Sequence, residues 1–172
     1  MFKQLGGYIM STIIVYHGST ERVENPICRF GRKNLDFGQG FYVTNLREQA
    51  VAWANNMARN RKKQAMLNRY RLDRNAILKE AKCKVFKSYD EEWLKFIVGN
   101  RSGEGLAKEY DYVEGGVAND RVVDTVNLYI AGLIELHSTL KELAKHQPNN
   151  QMCILNQDII NHYLEYDGTE EL

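Results

Sequence analysis

Short β-branched runs and longer stretches of helical spacing alternate along this chain in an irregular order, with no βαβ unit repeating among them. That order argues against a doubly wound parallel sheet and predicts an α+β fold with helices flanking the strands. The first strand covers residues 11–16, a largely β-branched run that meets His17, Gly18 and Ser19, which read as a turn. Residues 20–39 hold Pro26, Gly31 and Gly38 and are turn-rich, and with Gly40 they lead to a second short strand over 41–44. Thr44 or Asn45 is placed to cap a helix over 46–64, where Leu46, Ala50, Trp53, Ala54 and Met57 recur at helical spacing.

Further strands are expected over 65–73, 82–88, 110–113 and 151–155. Helices are expected from Asp90, over 122–135 and over 138–146, and a short helix with a last strand near 163–166 closes the chain. No repeat, low-complexity tract or linker divides it. The expectation is one domain over residues 10–172, with residues 1–9 a dispensable extension or the product of an alternative start ahead of Met10.

The chain has 172 residues, enough to bury a sizeable core. Lys and Arg number 23 against 22 acids, so no global field gathers polyanions or a membrane surface. A hydrophobic content of 44% with two prolines opposes disorder, and no apolar run is long enough for a membrane span. Cys28, Cys83 and Cys153 are far apart, without a CxxC pair, which fits a reducing compartment and a cytoplasmic location. His17, His137, His146 and His162 include no pair at metal-ligand spacing, so no metal is expected.

Phosphate-binding loops fail on context. Gly38-x-Gly40 precedes a strand instead of a helix, and no Lys-Ser/Thr pair follows Gly103-Glu104-Gly105. Ser19 and Ser102 lack a nucleophile-elbow pattern. Arg59, Arg61, Lys62, Lys63, Arg69, Arg71 and Arg74 form a basic run with Asp73 as its one acid, whereas the chain is acidic from Glu165 onward. The basic run reads as a solvated face or, in the sharper reading, a local contact for a polyanion.

Tyr16-His17-Gly18-Ser19 precedes Asp36-Phe37-Gly38-Gln39-Gly40-Phe41-Tyr42-Val43-Thr44, and Trp53 stands eleven positions beyond Tyr42. Taken singly, His17 reads as a strand-end histidine, Tyr42 and Trp53 as core aromatics and Gly40 as a turn. In this order they resemble the catalytic half of the ADP-ribosyltransferase superfamily, in its diphtheria-toxin-like and poly(ADP-ribose)-polymerase-like branch. The chain is also similar to small single-domain bacterial proteins placed in that superfamily. The likeness is firm over residues 13–54 and looser over 110–160.

The resemblance implies a split antiparallel β-sheet core with flanking helices, and NAD as co-substrate. His17 would hydrogen-bond the ribose next to the adenine, while Gly18, with Ser19 beside it, would let the main chain approach the nicotinamide amide. Tyr42 and Trp53 would sandwich the pyridinium ring, each face contributing about 0.5–2 kcal/mol. The branch often places a glutamate at the start of a late strand, where alignment here puts Gln151. A glutamine amide hydrogen-bonds a ribose but carries no charge and takes no proton. Glu114 is a rival carboxylate, and Asn119 and Asp120 are further candidates in the loop after it.

The implied activity is mono-ADP-ribosyl transfer to a protein or nucleic-acid acceptor. A catalytically impaired binding module and an NAD glycohydrolase are the alternatives. Small stand-alone relatives resemble toxin or defence effectors, which implies an antitoxin-like partner and no membrane.

Overall fold

The computed structural model describes residues 12–118 and 120–172, so the proposed extension 1–9, the start of the 11–16 strand and Asn119 lie outside the described residues. Strand β1 (Ile13–Ser19) runs three residues past its expected end, because His17, Gly18 and Ser19 pair with a later strand instead of turning. The turn comes after them, where the Glu21 N–H donates to Ser19 Oγ at 3.2 Å. Strand β2 (Phe41–Val43) and helix α1 (Arg47–Arg61) follow. Thr44 acts at the helix start by accepting from the Leu46 N–H at 3.0 Å, while Leu46 itself occupies the cap position and offers no side-chain bond.

Strand β3 (Met66–Leu72) is followed by helix α2 (Arg74–Glu80), an element the sequence reading left out. Asp73 initiates it by accepting from the Ala76 N–H at 3.0 Å. Strand β4 (Cys83–Val85) is shorter than expected, and Asp90 then caps α3 (Glu91–Arg101) through the Trp93 N–H. Strand β5 (Tyr112–Gly115) and helix α4 (Asp120–Ile130) come next. Helix α4 stops five residues early, because Gly132 takes φ of 70° and the Leu133 N–H closes back on the Leu128 carbonyl at 2.9 Å. Helix α5 (Leu136–Leu143), strand β6 (Gln151–Ile154), helix α6 (Gln157–Tyr163) and strand β7 (Leu164–Glu171) complete the fold.

The architecture is α+β, with two sheets and six helices among the described residues. One sheet has the order β1-β3-β7 and is antiparallel throughout. The other has the order β2-β6-β5-β4, and here one pair departs from the antiparallel expectation: β4 and β5 run parallel. A parallel pair needs a long crossover, and the segment containing α3 supplies it. Among the described residues the main chains of the two sheets meet in one bridge, in which Tyr16 and Thr44 exchange hydrogen bonds of 2.7 and 2.9 Å. Beyond that bridge β1 and β2 part company.

Side-chain alternation divides the core between the two faces of the four-stranded sheet. Val113 and Cys153 join Phe37, Phe86, Trp93 and Ile97 on one face, whereas Tyr112, Met152 and Ile154 join Val15, Phe41 and Tyr70 on the other. Trp93 is fully buried and still satisfied, its Nε1 donating to the Gly116 carbonyl at 2.8 Å. Asn68 does the same for the three-stranded sheet. Its carbonyl accepts from the Val23 N–H and the Thr169 hydroxyl, and its amide donates to the Glu21 carbonyl, so one buried side chain ties the turn after β1 to β7.

No helix among the described residues is long and apolar enough to cross a membrane.

Candidate functional site around the sheet split

Strand pairing fixes which groups look into the gap where β1 and β2 separate. Tyr16 directs its N–H and C=O toward Thr44, and hydrogen-bonding direction repeats every second residue along a strand. Gly18 therefore presents its N–H and C=O to the same side, past the end of the bridge, and neither has a main-chain partner among the described residues. By the same rule Tyr42 turns its main chain toward β1, where its carbonyl accepts a 2.7 Å bond from His17 Nδ1. A carbonyl only accepts, so Nδ1 carries the proton and Nε2 is left as an acceptor. Burial lowers the His17 pKa, partly offset by that bond, and keeps the ring neutral with this tautomer.

Gly18 has a second duty. A Cβ there would lie 2.1 Å from the Ala50 carbonyl, because α1 crosses directly over the strand. Ala50, Ala54 and Ala58 form the buried stripe of the helix, so small residues on both sides bring helix and strand close. Ala54 and Ala58 of that stripe pack near Leu172, and at the helix start Arg47 bonds Glu170 of β7, so this side of α1 leans toward β7. The opposite flank, which carries Trp53, is thereby turned past β1 toward the split. Trp53 is 52% exposed, which makes it a surface aromatic and not the core residue that its spacing alone suggests.

Register places the remaining residues. Tyr16 and Thr44 stand opposite one another, so Tyr42 shares the face of Gly18 and α1. Tyr42 pairs with Cys153, which puts Gln151, two residues earlier on β6, on that same face. The Tyr42 ring is half-buried and fixed at its tip, donating to the Gly38 carbonyl at 2.7 Å and accepting from the Phe37 N–H at 3.1 Å. Burial pushes its phenol pKa far above the ordinary range, so it remains a neutral aromatic face. The Gln151 side chain makes no hydrogen bond to another described residue. Its approach is set by Asn150, whose carbonyl accepts from Thr44 Oγ1 at 2.6 Å and whose amide donates to Asn45 at 3.0 Å.

Three candidates fall elsewhere. Glu114 points to the opposite face of the sheet with Tyr112, buried and held by Arg74 Nε at 2.7 Å and the Tyr112 hydroxyl at 2.8 Å. Such a paired carboxylate ties α2 to β5. Ser19 is buried on the His17 side of β1, with its hydroxyl occupied by the turn. Asp120 opens α4, and Asn119 lies outside the described residues. A cavity of about 920 Å³, lined by Pro26, Cys28, Arg29, Gln39, Gln157 and Ile160 among others, contains none of the predicted site residues.

The basic run is partly neutralised. Arg69 and Arg71 each pair with Asp167 of β7 at 2.8 Å, Lys63 pairs with Glu21 and Arg74 with Glu114. The acidic end of the chain folds back on the basic strand through Asp167, so the Arg69 and Arg71 part of the expected polyanion patch is already paired.

Sequence reasoning missed Gln49. It sits one turn before Trp53 on the same flank of α1, and its Oε1 is buried without a hydrogen-bond partner. The i, i+4 spacing to Trp53 was the available signal.

No curated protein and no solved structure matches the chain. A family model does, over residues 13–166, and its description is protein of unknown function, DUF3990. That span takes in β1, the split and the start of β7, and on it the chain belongs to the DUF3990 family.

Proposed function

We propose that the protein is an NAD-dependent mono-ADP-ribosyltransferase whose nicotinamide pocket is the split between the two sheets. The observation that carries this reading is the placement of Gly18, Tyr42, Gln151 and the Trp53 flank of α1 on one face of the split, with the Gly18 main chain unpaired. The N–H and C=O of one residue complement a primary carboxamide, whose oxygen accepts and whose NH₂ donates. Tyr42 and Trp53 supply π faces for the cationic pyridinium, and the Tyr42 hydroxyl anchors hold its ring ready before ligand arrives. His17 Nε2 is an acceptor for a hydroxyl of the adenosine ribose.

In the reaction the bond between the nicotinamide nitrogen and ribose C1′ breaks, and its electron pair leaves with neutral nicotinamide. The acceptor's nucleophile then bonds C1′ and gives up its proton. Gln151 orients a ribose hydroxyl through its amide but neutralises no charge on the cationic sugar. A carboxylate at such a position is worth about 3 kcal/mol, so the native rate is modest and favours single transfer.

The test incubates purified protein with labelled NAD and cell lysate. Label appearing on macromolecules is the expected result. Free nicotinamide without transfer identifies a glycohydrolase, and NAD binding without turnover identifies a binding module. Gln151→Glu is expected to raise turnover about tenfold or more. Unchanged turnover would detach Gln151 from the reaction.

A further inference from the structure

Among the described residues, Gln49 Oε1 is the buried side-chain oxygen or nitrogen that lacks a hydrogen-bond partner. Native folds rarely leave such an atom unpaired unless something outside the free chain completes it. Gln49 belongs to the flank of α1 that faces the split, one helical turn from Trp53. Apolar packing would serve a purely structural residue better at this position, and an exposed lysine or glutamate would serve a solvated one.

We infer that Gln49 is a ligand-contact residue of the split, accepting a hydrogen bond from a hydroxyl of the ribose that carries the nicotinamide. The inference rests on the NAD reading and adds the sugar contact to it. The chemistry narrows the partner. A buried amide oxygen repels phosphate and calls for a donor. In that reading the Gly18 main chain holds the carboxamide, so outside that group the donors on the nicotinamide riboside are its hydroxyls, and affinity for free nicotinamide separates a contact to the sugar from one to the second carboxamide N–H. Gln49 from the helix and Gln151 from β6 then bracket one sugar with two neutral amides.

The experiment measures melting temperature and calorimetric affinity for NAD and for free nicotinamide, using the full chain and its Gln49→Met, Gln49→Ala and Asn55→Met variants. Gln49→Met keeps the shape and removes the unpaired oxygen, so without ligand it is expected to melt about 2–4 °C higher. Both Gln49 variants are expected to bind NAD about tenfold more weakly and nicotinamide unchanged, because nicotinamide has no sugar. Asn55→Met, on the exposed far side of the helix, is expected to bind NAD like the native chain. Native NAD affinity in Gln49→Ala, or an equal loss of nicotinamide affinity, overturns the sugar contact and leaves the NAD reading standing. Failure of the native chain to bind NAD removes both.

Discussion

Tyr42 separates two jobs that a single aromatic residue performs at once. Its ring offers a π face, while its hydroxyl fastens the segment containing Phe37 and Gly38. Tyr42→Phe is expected to cost about 1–3 kcal/mol of stability, read from denaturant unfolding, and to leave NAD affinity within a few-fold of native. Tyr42→Ala is expected to lose NAD binding and turnover; native affinity in that variant would sink the aromatic sandwich. His17 makes a prediction in pH. Its native pKa lies below the ordinary 6.5, so the unfolded chain binds the extra proton more readily. The stability it contributes is complete above about pH 6.5 and is lost as pH falls from there toward the lowered native value. Melting temperatures measured from pH 7.5 to 5 should fall more steeply for the native protein than for His17→Asn, and parallel curves would count against a neutral, half-buried His17.

At the scale of elements, Gly18 sets the distance between β1 and α1. Gly18→Ala drives a methyl into the Ala50 carbonyl, so overpacking of about 1–3 kcal/mol is expected, together with loss of NAD affinity as α1 shifts. A variant that melts like the native chain would show that the helix has room to spare. Much of this level was legible in the sequence. The β-branched run of β1, the helix start at Asp90 and the helical spacing from Leu46 to Met57 marked their elements through local chemistry, whereas the cap expected at Thr44 or Asn45 falls on Leu46. What stayed hidden depended on partners far along the chain. Nothing local tells Gly18 to continue a strand instead of turning, since that choice is made by Leu67 and by the helix above it. Helix α2 was obscured because its seven residues lie tightly between two strands, and Asp73 was the only strong start signal. At the site, the spacing from Tyr42 to Trp53 was readable, whereas the face assigned to Glu114 followed only from the register of β5 against β6.

At the scale of the molecule, one main-chain bridge among the described residues links two sheets that share a core, and the proposed nicotinamide pocket lies where the bridge ends. Hydrogen exchange should therefore be slow at the Tyr16 and Thr44 amides in the free protein and faster at Gly18 and Tyr42, whose N–H groups face the gap. Saturating NAD is expected to slow exchange at Gly18 at least fivefold, and unchanged exchange there would place the nicotinamide elsewhere. The charge distribution obeys the same long-range logic. Part of the near-neutral balance is local pairing, with Arg69 and Arg71 of β3 set against Asp167 of β7.

The order β1-β3-β7 also has a bearing on how the chain is made. Strand β3 sits in the middle of its sheet, yet one neighbour is synthesised before it and the other is the last described element to emerge. Until Leu164–Glu171 arrives, β3 has an open edge that any extended segment can join, and its buried Asn68 lacks the Thr169 hydroxyl. Completion of this sheet is thus a late, long-range event, and a nascent chain interrupted before β7 is the form most exposed to aggregation and to capture by chaperones.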